Sequence, residues 1–428
     1  MNAIKLIGFS IFALFLFFQN AYAAGWEKIE VPNVEMTVID DNGQYIDIKP
    51  GCAFSYLPDE AGLPNKPFHF YYRQGKNDKI LIYFNGGGAC WNDATCITSL
   101  KLTELGGRPI YNPSMDLENT PGEINGIVDF NHPNNPVGEW SMVFIPYCTG
   151  DSHIGSSDTL YNDLPNPLGF VNGGNPLMVQ HRGFDNFMVV REWLKNESDR
   201  TKVEHVLISG SSAGSYGALL NFSRLHSLYP KKTKVALLAD AGAGVFTQHF
   251  LDLVFNPGGP WGVENTLATW IPGINQYSTY DAATFYGNIM TGMAGYFPKS
   301  RFAHYTTAWD VIQVLFLNVM KQTDIGSVNP IEWNEIPQDT WYEWNDRMLG
   351  TFNMMTLVDN VRYYIGAGTF HTGLTDLFKP ILGYFYLENS AANVFLTDWV
   401  KRLITDDKKS ELKNLKCDGD CEAPAICY

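Results

Sequence analysis

The 428-residue chain is short of positive charge: 30 Lys and Arg stand against 45 Asp and Glu, a formal net charge of −15. That balance disfavours nucleic acid and anionic membrane surfaces as partners, because both require basic patches. Past the N-terminal segment no run of 18 consecutive apolar residues occurs, so no membrane-spanning helix is expected in the remainder. His-Glu-x-x-His, P-loop and Gly-x-Gly-x-x-Gly patterns are all missing. Metal-dependent hydrolysis, phosphate-loop chemistry and dinucleotide chemistry therefore lose their usual signatures, and no cofactor or metal is expected. The 39 Gly and 23 Pro are dispersed, which excludes collagen-like and low-complexity chains. What remains, with 45% hydrophobic and 14% aromatic residues, suffices to fill a large core.

The N-terminus reads as an export signal over residues 1–23. Lys5 supplies the positive charge, Leu6 to Phe18 a short apolar run, and Ala21-Tyr22-Ala23 a small-residue cleavage pattern, with cleavage expected after Ala23. The run is shorter than the roughly 20 residues a spanning helix needs. A secreted or periplasmic protein is expected. Seven cysteines fit an oxidising compartment: Cys52, Cys90, Cys96, Cys148, Cys417, Cys421 and Cys427. Being odd in number, they leave at least one outside the intramolecular pairs. Cys90 and Cys96 are spaced to close a small loop. The Cys417, Cys421, Cys427 tail lacks C-x-x-C pairs and histidines, so it reads as stapled and not as a metal site.

Continuous apolar runs bounded by loops are the pattern of strands buried on both faces. Lys79–Phe84, Ser141–Tyr147, Val203–Ile208, Lys234–Leu238, Phe302–Thr306 and Val361–Ile365 have it. Helical spacing is present at Phe184–Leu194 and Ala213–Leu228, and Ser390 is placed to cap a last helix through Leu403. Strands alternating with helices predict an α/β fold: a mostly parallel sheet with helices on both faces. A single domain over 24–428 is expected. It carries a cap-like insertion at about 243–300, rich in aromatics, Gly and Pro, and a Cys-containing tail at 410–428. The aromatics of the insertion read equally well as a lid or as ordinary core.

Gly210-Ser211-Ser212-Ala213-Gly214 fits Gly-x-Ser-x-Gly directly between a predicted strand and a predicted helix. That is the context of a nucleophile elbow, which exposes its central serine at the strand's carboxyl end and turns the next N–H toward a developing oxyanion. A serine hydroxyl needs a base and a second oxyanion donor. Asn85-Gly86-Gly87-Gly88 follows an upstream strand, where a glycine loop can offer backbone N–H groups. The hydrolase order is Ser, then acid, then His. His226 lies in the elbow helix, His249 comes too early and His304 sits mid-strand. His371 follows a late strand and the loop 366–370, from which an imidazole can reach back. Asp310, after the strand at 302–306, is the preferred acid; Asp240, ending the strand after the elbow helix, is the alternative. Asp151 and His153 end another strand and are candidate substrate contacts.

Five blocks, Asn85–Asn92 (NGGGACWN), Pro146–Asp151 (PYCTGD), Arg182–Asn186 (RGFDN), Ser209–Ser215 (SGSSAGS) and Ala239–Gly242 (ADAG), resemble the pectin acetylesterase family, which includes the Notum carboxylesterases. The resemblance runs from about Gly51 to Asp398-Trp399-Val400. It implies an α/β-hydrolase variant with a Ser-Asp-His triad and no metal. Carried onto matching positions, it implies Ser212 as nucleophile, Asp310 as acid, His371 as base, and Gly87, Gly88 and Ala213 as oxyanion donors. Asn85 and Ala89 depart from the Glu and Trp that family members often carry there, which bears on the shape of the acyl pocket. The expected function is a secreted serine carboxylesterase acting on an ester, by family name an O-acetyl group on a glycan. Two alternatives stand beside it: an esterase for longer, lipid-like acyl groups, and a binding protein on a lapsed scaffold. The presence of Ser, Asp and His candidates in order tells against the second.

Overall fold

The computed structural model describes residues 19–21, 25–56, 66–197, 199–274, 280–376, 383–405, 411–417 and 421. The expected export signal lies outside these residues except at 19–21, and Cys427 lies outside them too. In chain order the strands are β1 (Gln19–Ala21), β2 (Glu27–Glu30), β3 (Met36–Ile39), β4 (Tyr45–Ile48), β5 (His69–Arg73), β6 (Lys79–Phe84), β7 (Ser141–Ile145), β8 (Ser157–Tyr161), β9 (Leu177–His181), β10 (His205–Ser211), β11 (Lys234–Asp240), β12 (Arg301–Thr307), β13 (Val361–Gly366) and β14 (Leu415–Lys416). Helices are α1 (Asp93–Cys96), α2 (Pro121–Ile124), α3 (Gly183–Glu197), α4 (Ala213–Leu220), α5 (Phe222–His226), α6 (Gln248–Phe255), α7 (Phe285–Tyr296), α8 (Val311–Asp324), α9 (Gln338–Met355), α10 (Tyr384–Leu387) and α11 (Leu396–Ile404).

Ten strands form one sheet in the order β1-β2-β5-β7-β6-β10-β11-β12-β13-β14. From β7 to β14 every neighbour is parallel, and β1, β2 and β5 extend the β7 edge antiparallel. The expected mostly parallel α/β architecture is therefore present. Alternation along β6 explains its burial on both faces. Ile80, Ile82 and Phe84 join the cluster with Phe187, Met188 and Val190 of α3. Leu81 and Tyr83 face the opposite cluster, with Leu396, Trp399, Val400 and Leu403 of α11. Those four recur at helical spacing, so α11 buries one stripe.

Two local expectations are corrected. The helix foreseen over Ala213–Leu228 breaks at Asn221, whose side-chain amide donates to the His153 carbonyl at 3.1 Å. The last helix begins at Leu396, without a side-chain cap, and not at Ser390. Ser390 instead donates its hydroxyl to Glu388 and accepts the Ala367 N–H. Disulfides join Cys52 to Cys148, Cys90 to Cys96 and Cys417 to Cys421. The first spans 96 residues, and cross-linking so long a loop is worth on the order of 4 kcal/mol. No helix among the described residues is long and apolar enough to cross a membrane.

Parallel strands place all their carboxyl ends along one rim, where open α/β sheets bind ligands. The turns after β6, β10, β12 and β13 meet there.

Candidate active site

At the end of β10 the chain turns sharply into α4 through Ser212, which has φ 56° and ψ −125°. Such a backbone costs a non-glycine residue about 1–3 kcal/mol and persists only where its surroundings hold it. The flanking glycines show why the turn fits. A Cβ at Gly210 would lie 2.2 Å from the Gly214 carbonyl oxygen, and one at Gly214 would lie 2.1 Å from that of Phe84. Ser212 donates its N–H to the Asp240 carbonyl at 2.8 Å.

After β6 the glycine loop leans on this turn. Gly88 has φ 74°, and a Cβ there would fall 1.9 Å from the Ile110 carbonyl oxygen. A bridge to the 110–112 segment uses the Gly87 carbonyl and the Ala89 N–H, leaving the Gly88 N–H outside it. Buried Asn85 donates its amide to the Glu118 carbonyl and to Asn119 at 2.8 and 3.1 Å, so it braces a neighbouring loop.

The acid and base come from the next two turns. Asp310 is wholly buried and caps α8, accepting the N–H groups of Ile312 and Gln313 at 3.1 and 3.0 Å. Half-buried His371 places Nδ1 2.9 Å from both carboxylate oxygens. A carboxylate only accepts, so the proton is assigned to Nδ1 and Nε2 is left as the acceptor. Zipped loop backbones hold this pair: Ala308, Trp309 and Val311 donate to the carbonyls of Gly366, Gly368 and Thr369 at 2.8, 3.1 and 3.0 Å.

Ser212 and His371 line one cavity with about 840 Å³ of empty space, part of it open solvent. Among the described hydrogen bonds none joins the two, which is common before substrate draws such groups together. Gly88 and Ala213 share the rim; Gly87 adjoins it. The depth of the cavity is apolar, walled by Trp91, Leu219, Phe250, Phe285, Ile289 and Trp344 among others. Several of these belong to the 243–300 stretch, whose aromatics also pack in the larger core cluster.

The remaining candidates lie elsewhere. Asp240, the alternative acid, faces Ser211 and the 373–374 backbone and not the imidazole. Asp151 and His153, candidate substrate contacts, are wholly buried behind the rim and outside the cavity lining. Asp151 accepts from Thr149, His153 N–H and Gly183 N–H at 2.6, 3.1 and 2.7 Å. His153 Nε2 sits 2.8 Å from the Asn85 carbonyl. Burial pushes Asp151 up to about 6 and His153 down to about 4. It is the residue between them, Ser152, that reaches the cavity. His226 packs on Phe222 and Phe297, His249 is exposed on α6, and His304 is buried against Tyr286. Sequence reasoning also missed Gln313, whose amide donates to Asp310 Oδ2 at 2.9 Å and whose carbonyl accepts the Ala243 N–H at 2.7 Å. Its position three residues past a capping Asp was the available signal.

Comparison with known proteins shows which sequences and folds the chain resembles. Residues 65–252 match the family model described as Pectinacetylesterase. The chain is 26% identical over 177 residues to pectin acetylesterase 11 of Arabidopsis thaliana, covering 41% of this chain and 40% of that protein. It is 31% identical over 158 residues to palmitoleoyl-protein carboxylesterase NOTUM of Schmidtea mediterranea, covering 36% and 26%. With NOTUM of Mus musculus the values are 31% over 185 residues, 41% and 32%. The matched segments thus span two-fifths or less of these relatives' own length. In fold the chain is similar to the crystal structure of the Wnt deacylase Notum from Drosophila, with a TM-score of 0.52 at 17% identity over 87% of this chain and 96% of that one. Residues 65–252 thus resemble the pectinacetylesterase domain, the curated relatives are pectin acetylesterases and Notum carboxylesterases, and the fold is similar to that of a Notum structure.

Proposed function

We propose that the protein is an exported serine carboxylesterase whose acyl group is longer than acetyl. One observation carries the reading: a serine on a strained elbow and a histidine seated on a buried aspartate open onto the same apolar cavity. Ser212 attacks the ester carbonyl while Nε2 of His371 takes its proton. Asp310 keeps the imidazole in the required tautomer and stabilises its cation without taking the proton. The tetrahedral oxyanion rests on the N–H groups of Gly87, Gly88 and Ala213. His371 then gives its proton to the departing alcohol. Water, deprotonated by His371, attacks the acyl-enzyme, and the acid leaves as the Ser212 hydroxyl is restored.

The relatives' names divide between acetyl and palmitoleoyl esters. The lining favours the longer chain, because the wall beside Ser212 is built mainly of aromatic and aliphatic side chains suited to an apolar acyl tail. In this reading the 243–300 stretch acts as a cap that supplies much of the wall, and the disulfides support export. The test is a p-nitrophenyl ester series from acetate to palmitate, run on the wild type and Ser212→Ala. Rates should rise beyond acetate and collapse in the variant. Equal rates for the two proteins discard the enzyme; a steady decline from acetate onward discards the long acyl group.

A further inference from the structure

Asp240 takes no part in the proton path, yet the two halves of the site converge on its carboxylate. It is wholly buried at the end of β11. Oδ1 accepts the Gly373 N–H at 2.7 Å, and Oδ2 accepts the Leu374 N–H at 3.0 Å together with the hydroxyl of Ser211. Tyr83, on β6, donates its own hydroxyl to Ser211 Oγ at 2.6 Å. The main chain of Asp240 adds a further tie, since its carbonyl holds the Ser212 N–H. Ser211 immediately precedes Ser212, and Gly373 and Leu374 follow His371 by two and three positions. Thr372, with φ 64°, makes the left-handed bend after which these two successive N–H groups face one carboxylate, an arrangement suited to holding negative charge.

We infer that Asp240 is a positioning residue: its carboxylate clamps the end of the nucleophile strand to the loop behind the imidazole and so sets the approach of Ser212 to His371. The inference rests on the esterase reading above. Asp310 orients the ring at Nδ1, but ring orientation alone does not fix where the loop backbone stands. Hydrogen bonds to an ionised acceptor are shorter and stronger than neutral ones, and a buried carboxylate must keep them. Asp240 thereby links strand and loop through groups that never touch substrate. Displacing a reacting group by about 1 Å costs on the order of 10² in rate.

The test uses the full chain carrying Asp240→Asn, with Ser211→Ala as a second variant. Asn keeps the size of Asp and one acceptor, but turns an amide N–H toward the Leu374 N–H. Two readouts are taken: steady-state hydrolysis of the best p-nitrophenyl ester, and the rate at which a fluorophosphonate labels Ser212. For Asp240→Asn, kcat and the labelling rate should both fall by about 10², KM should stay within about twofold, and hydrogen exchange should quicken over 371–376. Ser211→Ala removes one donor of the clamp, so its kcat should fall less, by roughly three- to tenfold. Wild-type kcat and labelling rate in both variants overturn the positioning role. If Asp240→Asn does not fold, an unchanged kcat in Ser211→Ala does so alone. A wild-type chain that is not labelled at Ser212 removes the esterase reading and the positioning role with it. Normal wild-type labelling with unimpaired variants removes only the latter.

Discussion

His371 Nδ1 sits 2.9 Å from both carboxylate oxygens of Asp310, across 61 residues of chain. Adjacent strands make the meeting possible: Asp310 follows β12, His371 follows β13, and the two pair in register from Phe302–Val361 to Thr307–Gly366. Asp310→Asn should keep the fold, because Asn caps a helix about as well as Asp. It presents an amide to the imidazole and favours the wrong tautomer. Hydrolysis of p-nitrophenyl esters should drop by about 10³–10⁴ in kcat, by analogy with serine hydrolases. A drop below about tenfold would remove Asp310 as the acid.

Gly88→Ala should inactivate the enzyme. Its Cβ meets the backbone carbonyl of Ile110, which cannot yield as a flexible side-chain end would, and φ is 74°. Loss of one oxyanion donor costs about 10²–10³ in kcat. Gly106 provides the control, with the same φ of 74° and no neighbour within 4 Å of a Cβ. Gly106→Ala should lower stability by about 1 kcal/mol and leave kcat alone. Equal activity losses in the two variants would place the Gly88 effect in backbone strain and not in the oxyanion site.

Val245→Phe should shorten the acyl preference. Val245 lines the cavity beside Phe246 and Phe250, so a larger side chain occupies space that the proposed reading gives to the acyl chain. Activity on acetate and butyrate esters should persist while that on palmitate falls at least tenfold. An unchanged chain-length profile would place the acyl chain outside this cavity.

Acid should destabilise the fold. Burial lowers His153 and His181 to about 4 and His304 to about 3, against 6.5 for the free side chain. Stability from these neutral imidazoles is full above pH 6.5 and is lost as pH falls toward their folded values. Asp151 works in the other sense: burial raises it from 3.8 to about 6, so its contribution is full at low pH and lost as pH rises through 6. His69, lowered to about 3, acts in the same sense as the other imidazoles, so over these five groups the unfolded chain binds a net of about three more protons between pH 6 and 4, a slope of roughly 4 kcal/mol per pH unit at its steepest. The urea midpoint should fall from pH 7 to pH 5. His181→Gln should flatten that fall, since Gln can both donate to the Thr149 carbonyl and accept from Tyr161 as His181 does. A midpoint that rises on acidification would contradict the assignment.

Legibility in the sequence follows the range of the forces involved. Lys79–Phe84 was readable to the residue because a strand buried on both faces is a local, continuous apolar run. Ser212 was readable because the elbow needs glycines at fixed offsets, and Asp310 and His371 were readable as candidates from chain order; the fold opens Ser212 and His371 onto one cavity and seats His371 on the buried Asp310. The break at Asn221 was not readable, since its amide is drawn to a carbonyl 68 positions away. Asp151 and His153 misled for a similar reason. A polar pair at a strand end looks the same whether it faces substrate or is sealed beneath a loop, and only the donors from Thr149 and Gly183 decide it. Asp240 looked like an acid because it is one; which groups it faces is set by three distant segments.

The aromatic excursion that walls the cavity leaves the sheet after β11 and returns at β12, so its two ends are anchored on neighbouring strands. Its length and lining can change without shifting the strands that carry the reacting groups. In the esterase reading proposed above, acyl selectivity can therefore be retuned within this one stretch, which supplies part of the wall, while the strands that carry Ser212, Asp310 and His371 keep their places.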